Sequence, residues 1–377
     1  MQKRIRFVTL FPRARNIDLI KDVGMIPYLL HQKYGYDSTI ACYNNGDYLN
    51  LKGELKGLKI EFIKTRKKNE LWDGSRYLLL NSKDIDILNI YHLSFKRILI
   101  WGFIYKLLNP QGILYLKADM DFRRVEKIEK QSGLKQCFQK ETVSFCDIVS
   151  FESTEIYNRM KEKLNTRSIY LPNGYLRYNK EGKKEKIILT VGRLGTRQKA
   201  TDVLLEGFAR TADKHDYNLY LIGTIEDEFV SYIHGFYEAN PQLKERVIFK
   251  GPIYDRTELL NEYMAASIFI FPSRWESFGI VLAEAMGCGV YLIMSEQVAP
   301  YRDFCHNGDF GNVFTTDNID ELSIAILKAV NKVSDDPEIF ERIRTYAQKT
   351  FTWDIIISHL KEELDLIERG KSNVCKK

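Results

Sequence analysis

FPSRWESFGIVLAEAMGCG, Phe271 to Gly289, holds a strand end, a loop, a helix start and two spaced carboxylates within nineteen residues. The run that leads into it, SIFIFP (Ser267 to Pro272), is short, apolar and rich in β-formers, and Pro and Ser end it. It reads as a buried parallel strand that delivers Trp275 and Glu276 to its C-terminal edge. Open α/β sheets bind ligands at that edge. After Ser277-Phe278-Gly279 the residues IVLAEAM fall at helical spacing, so the amides of Phe278, Gly279, Ile280 and Val281 are the donors that a helix start leaves without intrahelical acceptors. Together with the helix dipole they favour a phosphate. Glu284 follows Glu276 by eight positions, which puts one carboxylate on the loop and the other on the first turns of the helix. Carboxylates beside an anion site need hydroxyls to accept from, and a nucleotide sugar carries both groups. Either glutamate alone would be an ordinary cap or helix-surface residue. The combination carries the reading.

Strand, Glu276, Ser-Phe-Gly, apolar helix, Glu284 and a closing Gly-Cys-Gly resemble the family 4 glycosyltransferases, retaining enzymes in which two glutamates with seven residues between them are a hallmark. The resemblance is strongest over residues 171 to 370. It implies the GT-B fold: an α/β protein of two Rossmann-like domains facing across a cleft, with a C-terminal helix that crosses back to the first domain.

At 377 residues the chain exceeds a single core, and 45% hydrophobic with 12% aromatic residues suits two packed domains. The net charge of +6 is unevenly spread: residues 1 to 180 carry 32 Lys+Arg against 19 Asp+Glu, and the remainder 24 against 31. A basic first half suits an anionic partner such as a membrane surface or a phosphorylated lipid, and equally a set of solvated lysine-rich faces. No nucleic-acid partner is expected. Six cysteines (Cys42, Cys137, Cys146, Cys288, Cys305, Cys375) show neither C-x-x-C nor Cys/His spacing, which fits a reducing cytoplasm without a zinc site or a disulfide framework. MQKRIRFVTLFP reads as a first strand, because its apolar run is too short and too quickly broken for a signal peptide. The longest apolar run, Ile98 to Leu108, is too short to span a bilayer. The expected location is the cytoplasm, with the inner face of the cell membrane as a peripheral site.

IRFVTLF (Ile5 to Phe11), a helix ending near Gly35 and a strand around Ser38 to Tyr43 make a βαβ opening. The family's comparable loop holds a glycine pair; here Gly24 stands alone, either on the acceptor side or as a turn glycine. Strands at Leu58 to Lys64, Asp86 to Leu93 and Ile113 to Asp121 continue the alternation. His92 falls at a strand's C-terminal end, where a histidine of the resembled family faces the donor sugar, although a lone histidine is more often structural. Asp119-Met120-Asp121 matches the metal-diphosphate D-x-D of GT-A enzymes. That class would place its nucleotide half first and leave Phe271 to Gly289 unexplained, so Asp119 is assigned to the acceptor side or to structure, and no metal is expected. SFKRILIWGFIYKLL (Ser94 to Leu108) suits a helix buried against the sheet better than one lying on a membrane surface. LPNGY (Leu171 to Tyr175) marks the boundary. The expected domains are 1–172, 173–352 and a crossover helix with tail over 353–377.

IILTVGRLGTRQKATDVLLEGF (Ile187 to Phe208) reads as strand, Gly-Arg turn, polar loop and amphipathic helix. Arg193 and Lys199 project from that loop, and two fixed cations near a strand end suit a diphosphate whose charge grows as a glycosidic bond breaks. NLYLIG, VIFKGPI and VYLIMS supply further strands. By resemblance, the loop with Ile253 and Tyr254 holds the base through backbone contacts. Phe351 to Gly370 is a terminal amphipathic helix, and the tail beyond it is expected to fray.

The resemblance implies a retaining, metal-independent transfer from a nucleotide sugar, a UDP-sugar in this reading, to a glycan, glycolipid or glycoprotein acceptor in surface polysaccharide or glycoconjugate synthesis. No cofactor is required. Glu284 would accept from the ribose hydroxyls and Glu276 from those of the donor sugar. Ser277 and the Phe278 to Val281 amides would hold phosphate, and Arg193 and Lys199 the departing diphosphate. No carboxylate nucleophile is visible, which fits a same-face displacement. The alternatives are a non-catalytic GT-B subunit that binds glycan or a partner, and a sugar-nucleotide 2-epimerase.

Overall fold

The computed structural model describes residues 4–51, 55–65, 69–178, 180 and 182–374. The chain divides into two compact units, Met1–Asn173 with Trp353–Lys377, and Gly174–Thr352. The tail from Lys371, expected to fray, instead continues the terminal helix to Val374, and Lys371 Nζ donates to the Gly112 carbonyl at 2.7 Å; residues 375–377, with Cys375, lie outside the described residues.

The first unit holds β1 (Arg6–Leu10), β2 (Asp37–Cys42), β3 (Lys59–Phe62), β4 (Ile87–Tyr91), β5 (Ile113–Lys117), β6 (Ile148–Phe151) and β7 (Arg167–Tyr170). They form one sheet in the order β3-β2-β1-β4-β5-β6-β7, and every pairing is parallel. Strand order therefore reverses between β1 and β4. The expected strand from Ile113 stops at Lys117, because the chain turns through Asp119 at φ +40°. The Asp22–Tyr34 helix closes on Gly35 at φ +69°, the left-handed end that glycine supplies without strain. Gly24 lies in this helix's first turn rather than in a loop. A Cβ there would stand 2.0 Å from the Leu19 carbonyl oxygen, so close packing explains the glycine. Residues 95–108 are helical, with a π segment over Ile98–Gly102, and bury Ile98, Trp101 and Tyr105 against the unit while Phe103 and Leu107 stay exposed. The terminal Trp353–Val374 helix packs on the Asp22–Tyr34 helix and on β5, burying Ile356, Ile357, Leu360 and Leu364.

One face of this sheet is unusually polar. Thr9 pairs in register with Asn89, Asn89 with Tyr115, Tyr91 with Lys117, and Lys117 with Ser150. Side chains at paired positions share a face, and Glu152 follows two residues after Ser150 on that same face. All are buried. Tyr115 and Ser150 share a hydrogen bond of 2.8 Å, but Thr9 Oγ1, the Asn89 amide, the Tyr91 hydroxyl and Glu152 Oε2 have no partner among the described residues.

The second unit holds β8 (Ile187–Val191), β9 (Asn218–Ile222), β10 (Val247–Gly251), β11 (Ile268–Phe271), β12 (Tyr291–Ser295) and β13 (Gly311–Phe314), ordered β10-β9-β8-β11-β12-β13 and again all parallel. Its reversal lies between β8 and β11. Ile188, Leu189, Phe269, Ile270, Leu292 and Ile293 are fully buried, the continuous apolar run that a parallel strand covered on both faces requires. The edge strands β7 and β13 have no counterpart in the sequence reading.

Candidate active site

In the second unit, the loops that leave β8 and β11 emerge side by side where strand order reverses, which is where an open α/β sheet forms its crevice. Gly223, at the end of β9, runs at φ +141°, and a Cβ on it would stand 1.7 Å from the Gly192 carbonyl oxygen. Only glycine permits that approach. Arg193 follows Gly192, is exposed and makes no ion pair among the described residues. Lys199 Nζ donates to Glu276 Oε2 at 2.6 Å and lies 4.4 Å from the centroid of the Phe271 ring. Both side chains are less than a fifth exposed, at 19% and 16%. Gln198 Nε2 donates to the Trp275 carbonyl at 3.0 Å. Arg274 spans the two loops, donating to Asp202 at 2.8 Å, Asp317 at 2.6 Å and the Arg197 carbonyl at 2.9 Å, while its amide donates to the Gln198 carbonyl at 2.8 Å. The Lys199–Glu276 pair is thus held from both sides.

The Ile280–Gly287 helix starts after Gly279, whose φ of +83° again demands glycine. The amides of Phe278, Gly279, Ile280 and Val281 have no acceptor among the described residues. The Phe278 ring anchors the loop from beneath, buried against Phe304 and Phe351 at centroid distances of 5.2 and 6.2 Å. Ser277 is partly exposed beside them. Glu284 accepts from the Tyr263 hydroxyl at 3.2 Å and stands 3.9 Å from Arg256. Burial pushes its carboxyl up, and Arg256 and Tyr263 oppose that shift. Ile253 and Tyr254 lie in the loop after β10, just before the Arg256–Ala265 helix that Asp255 caps, and Tyr254 is 87% exposed. Arg256 brings the start of that helix to Glu284. Sequence reasoning missed Gln198, Arg274 and Tyr263, because their partners lie 21 to 77 positions away in the chain.

The first unit's edge carries His92 directly after β4. His92 at φ +63° and Asp119 at φ +40° both occupy the left-handed region, which strains a non-glycine residue. Bonds from His92 N to Lys117 O (2.9 Å) and from Leu93 N to Ala118 O (3.1 Å) hold them there. His92 Nδ1 lies 3.0 Å from Asp119 Oδ2. Burial pulls the imidazole down, but the bond and charge of Asp119, with Asp22 behind it, outweigh burial and raise it. Beneath lies Lys117, wholly buried, 3.1 Å from Glu152, 4.0 Å from Asp22 and 3.4 Å from the Leu171 carbonyl. Glu152 also accepts from Asn173 Nδ2 at 2.8 Å. Burial pushes the Glu152 carboxyl up to about 8 and the Asp22 carboxyl up as well, both against the pull of Lys117. The two carboxylates of the D-x-D triplet part company: Asp119 takes His92, whereas Asp121 caps the Phe122–Glu129 helix through Arg124 N at 2.9 Å and pairs with Arg123. Among the described residues no group of three or more His, Cys, Asp or Glu is placed to hold a metal ion.

Residues 176–350 match the family described as glycosyl transferases group 1. Over 187 residues the chain is 26% identical to mannosylfructose-phosphate synthase of Agrobacterium fabrum, a match covering 48% of this chain and 40% of that one. Sucrose-phosphate synthase from Thermosynechococcus elongatus shares its fold with a TM-score of 0.72 at 16% identity, covering 97% of this chain and 100% of that one. HepE of Anabaena in complex with UDP does so with a TM-score of 0.73 at 14% identity, covering 96% and 100%. The matches to the first curated relatives span 27%, 40% and 28% of those relatives' length. The structural likeness fixes the architecture as GT-B, two Rossmann-like domains with parallel sheets, as the sequence implied. Within it, residues 176–350 are the part of the chain that matches glycosyl transferases group 1.

Proposed function

We propose that this protein is a retaining, metal-independent glycosyltransferase that moves a sugar from a UDP-sugar to a hydroxyl of a glycan, glycolipid or glycoprotein in surface polysaccharide or glycoconjugate synthesis. The observation that carries this reading is the row of open amides at Phe278 to Val281 next to the Lys199–Glu276 pair at the strand reversal. A diphosphate fits those amides, and it would compete with Glu276 for Lys199. Once Lys199 turns to the phosphate, Glu276 is released to accept from the sugar hydroxyls. The donor's C1–O bond breaks with its electron pair passing to the diphosphate oxygen, and Arg193, Lys199 and the amides stabilise that charge. The acceptor hydroxyl bonds to C1 on the same face and gives its proton to the leaving oxygen. Glu284, on the helix behind, takes the ribose hydroxyls. No cofactor beyond the donor enters. His92 and Asp119 lie on the acceptor-binding unit in this reading.

A thermal-shift screen across UDP-, GDP- and ADP-sugars, with slow donor hydrolysis as the second readout, tests the proposal. Stabilisation and hydrolysis with a UDP-sugar, both persisting in EDTA, are the expected result. Absence of any nucleotide effect overturns it. Loss in EDTA with rescue by manganese overturns metal independence.

No described helix is long and apolar enough to cross a membrane. We further place the basic first unit, with Phe103, Leu107, Leu134 and Phe138 exposed, in peripheral contact with anionic lipid at the cytoplasmic face. Sedimentation with anionic vesicles should weaken as salt screens the attraction over ~10 Å at 0.1 M. Equal binding to neutral vesicles removes this contact.

A further inference from the structure

Three segments of the first unit meet beside its strand reversal. The loop after β1 brings Arg13, the segment after β4 brings His92 and Arg97, and the Glu70–Asn81 helix after β3 begins with Glu70. Glu70 is shared: one carboxylate oxygen takes Arg13 Nε and the other takes Arg97 Nη2 at 2.5 Å. The Arg97 guanidinium also lies 5.5 Å over the Trp101 ring. Phe11, at the end of β1, places its ring 5.7 Å from that of His92.

The charges are layered. Glu70 is 13% exposed, against 76% for Arg13, 23% for Arg97 and 47% for His92. Asp73, behind Glu70, is buried and receives the Tyr43 hydroxyl at 3.0 Å. Asp119 holds the inner nitrogen of His92. Each carboxylate is less exposed than the cation it holds, and two guanidiniums rest on a single carboxylate, which leaves each with donors that Glu70 does not use. Fixed, outward-facing donors of this kind bind anions without paying for reorganisation at the moment of binding. Burial and the neighbouring charge of Arg13 hold the Arg97 guanidinium below its ordinary range, a repulsion that an anion would relieve.

We propose that Arg13, Arg97 and His92 form a binding site for an anionic group, a phosphate or a carboxylate, on the molecule that the first unit accepts. This rests on the reading of that unit as the acceptor half and adds to it the acceptor's charge class. A site at the end of β1 and β4 occupies the same topological position as the anion site of the second unit, so both sheets would hold their ligand at the reversal of strand order.

The test follows the His92 imidazole by NMR in the full chain, with its signal assigned by loss in His92→Gln. Arg193→Ala/Lys199→Ala serves as background, so that added phosphate does not report from the second unit. Inorganic phosphate should shift the signal saturably and raise its titration midpoint. Arg13→Met and Arg97→Met should each weaken the effect at least tenfold. Because Arg13 is exposed, its variant decides the matter even if Arg97→Met fails to fold. A phosphorylated polyol should bind more tightly than inorganic phosphate, and the unphosphorylated polyol should leave the signal unmoved. An unmoved His92 signal, or unchanged binding in Arg13→Met, overturns the proposal. So does a phosphorylated polyol no better than free phosphate, which would mark a site for the ion alone. None of these readouts uses sugar transfer, so the donor chemistry can fail while this site stands, and the reverse.

Discussion

The two sheets are built alike, parallel and reversing once, yet they place their charges differently. Under Lys199 and Glu276 the second sheet is apolar: Phe269, Ile270 and Phe271 are buried, and every group assigned to chemistry sits on a loop or at a helix start. Under His92 the first sheet is ionic. Lys117 lies inside it with Glu152 and Asp22 against it, and the two residues above are held in strained backbone. Topology thus sets where a ligand can sit, while the depth of the charges sets what their loss would do. Loop charges on an apolar sheet can be removed with loss of chemistry alone, whereas charges within a sheet hold up the fold as well.

Lys117→Met is expected to break this contrast most severely if it is false. Above about pH 8, where Glu152 is ionised beside Lys117, removing one member of this buried ion pair costs about 3–5 kcal/mol, because its partner is left buried and uncompensated. Denaturant unfolding should show the first unit's transition moving while the second unit's stays. Trp72, Trp101 and Trp353 lie in the first unit and Trp275 in the second, so fluorescence with and without Trp275→Phe separates the two transitions. Transitions that move together would mean that the two units unfold as one.

Lys199→Ala and Arg193→Ala should do the opposite, lowering transfer by about 10²–10³-fold, the usual cost of losing one preorganised donor to a developing anion, with melting temperature nearly unchanged. A large loss of stability would show that the loop pair holds up structure too.

The two glutamates sharpen the picture within the second unit. A charge-assisted hydrogen bond is worth about 1.5–3 kcal/mol in a dry site. Glu276→Gln should lower turnover and leave affinity for a bare nucleoside diphosphate almost unchanged. Glu284→Gln, which in the proposed reading loses its acceptance from ribose, should weaken the bare nucleotide. Calorimetry on both variants alongside transfer rates decides it, and equal losses of nucleotide affinity would cancel the division of labour.

The smallest effect concerns pH. Glu152 is held at about 8 in the folded protein against an ordinary 4.5. A raised carboxyl keeps its proton in the folded state where the unfolded chain has released it, so stability falls as pH rises across that window. Asp22 and Glu284 act in the same direction, and His92, also raised, loses its stabilising contribution as pH climbs through its folded value. Glu152→Gln resembles the neutral acid and should flatten the decline in melting temperature between about pH 5 and about pH 8 by a few degrees. An unchanged slope would mean that Glu152 is ionised in the fold.

The sequence made the apolar strands legible because a parallel strand covered on both faces is a continuous run of β-formers, as in IFIF and YLIMS. It made the Glu276 to Glu284 stretch legible because strand, loop and helix start are contiguous. The short edge strands were hidden: RSIY fully buries only Ile169, and GNVF is too brief to stand out. Gly24 looked like a loop glycine because its neighbour at Leu19 belongs to a preceding turn that folds back on it. The buried cluster was hidden for another reason. Lys117 ends one apolar strand and Glu152 follows another, and only the register Lys117 with Ser150 brings them to one face. Arg13, Glu70 and Arg97 likewise meet only once β1, β3 and β4 are set in order.

The terminal helix gives the order of synthesis a physical weight. Residues that complete the first unit's layer, Ile356, Ile357, Leu360 and Leu364, leave the ribosome after all of Gly174–Thr352. At ~5–20 residues per second, the helix over Asp22–Tyr34 waits roughly 15 to 65 seconds for its cover. The second unit, continuous in the chain, has no such wait. A chain truncated before Trp353 would therefore carry a finished second unit and a first one with an apolar face still bare, and that bare face is what a chaperone would meet.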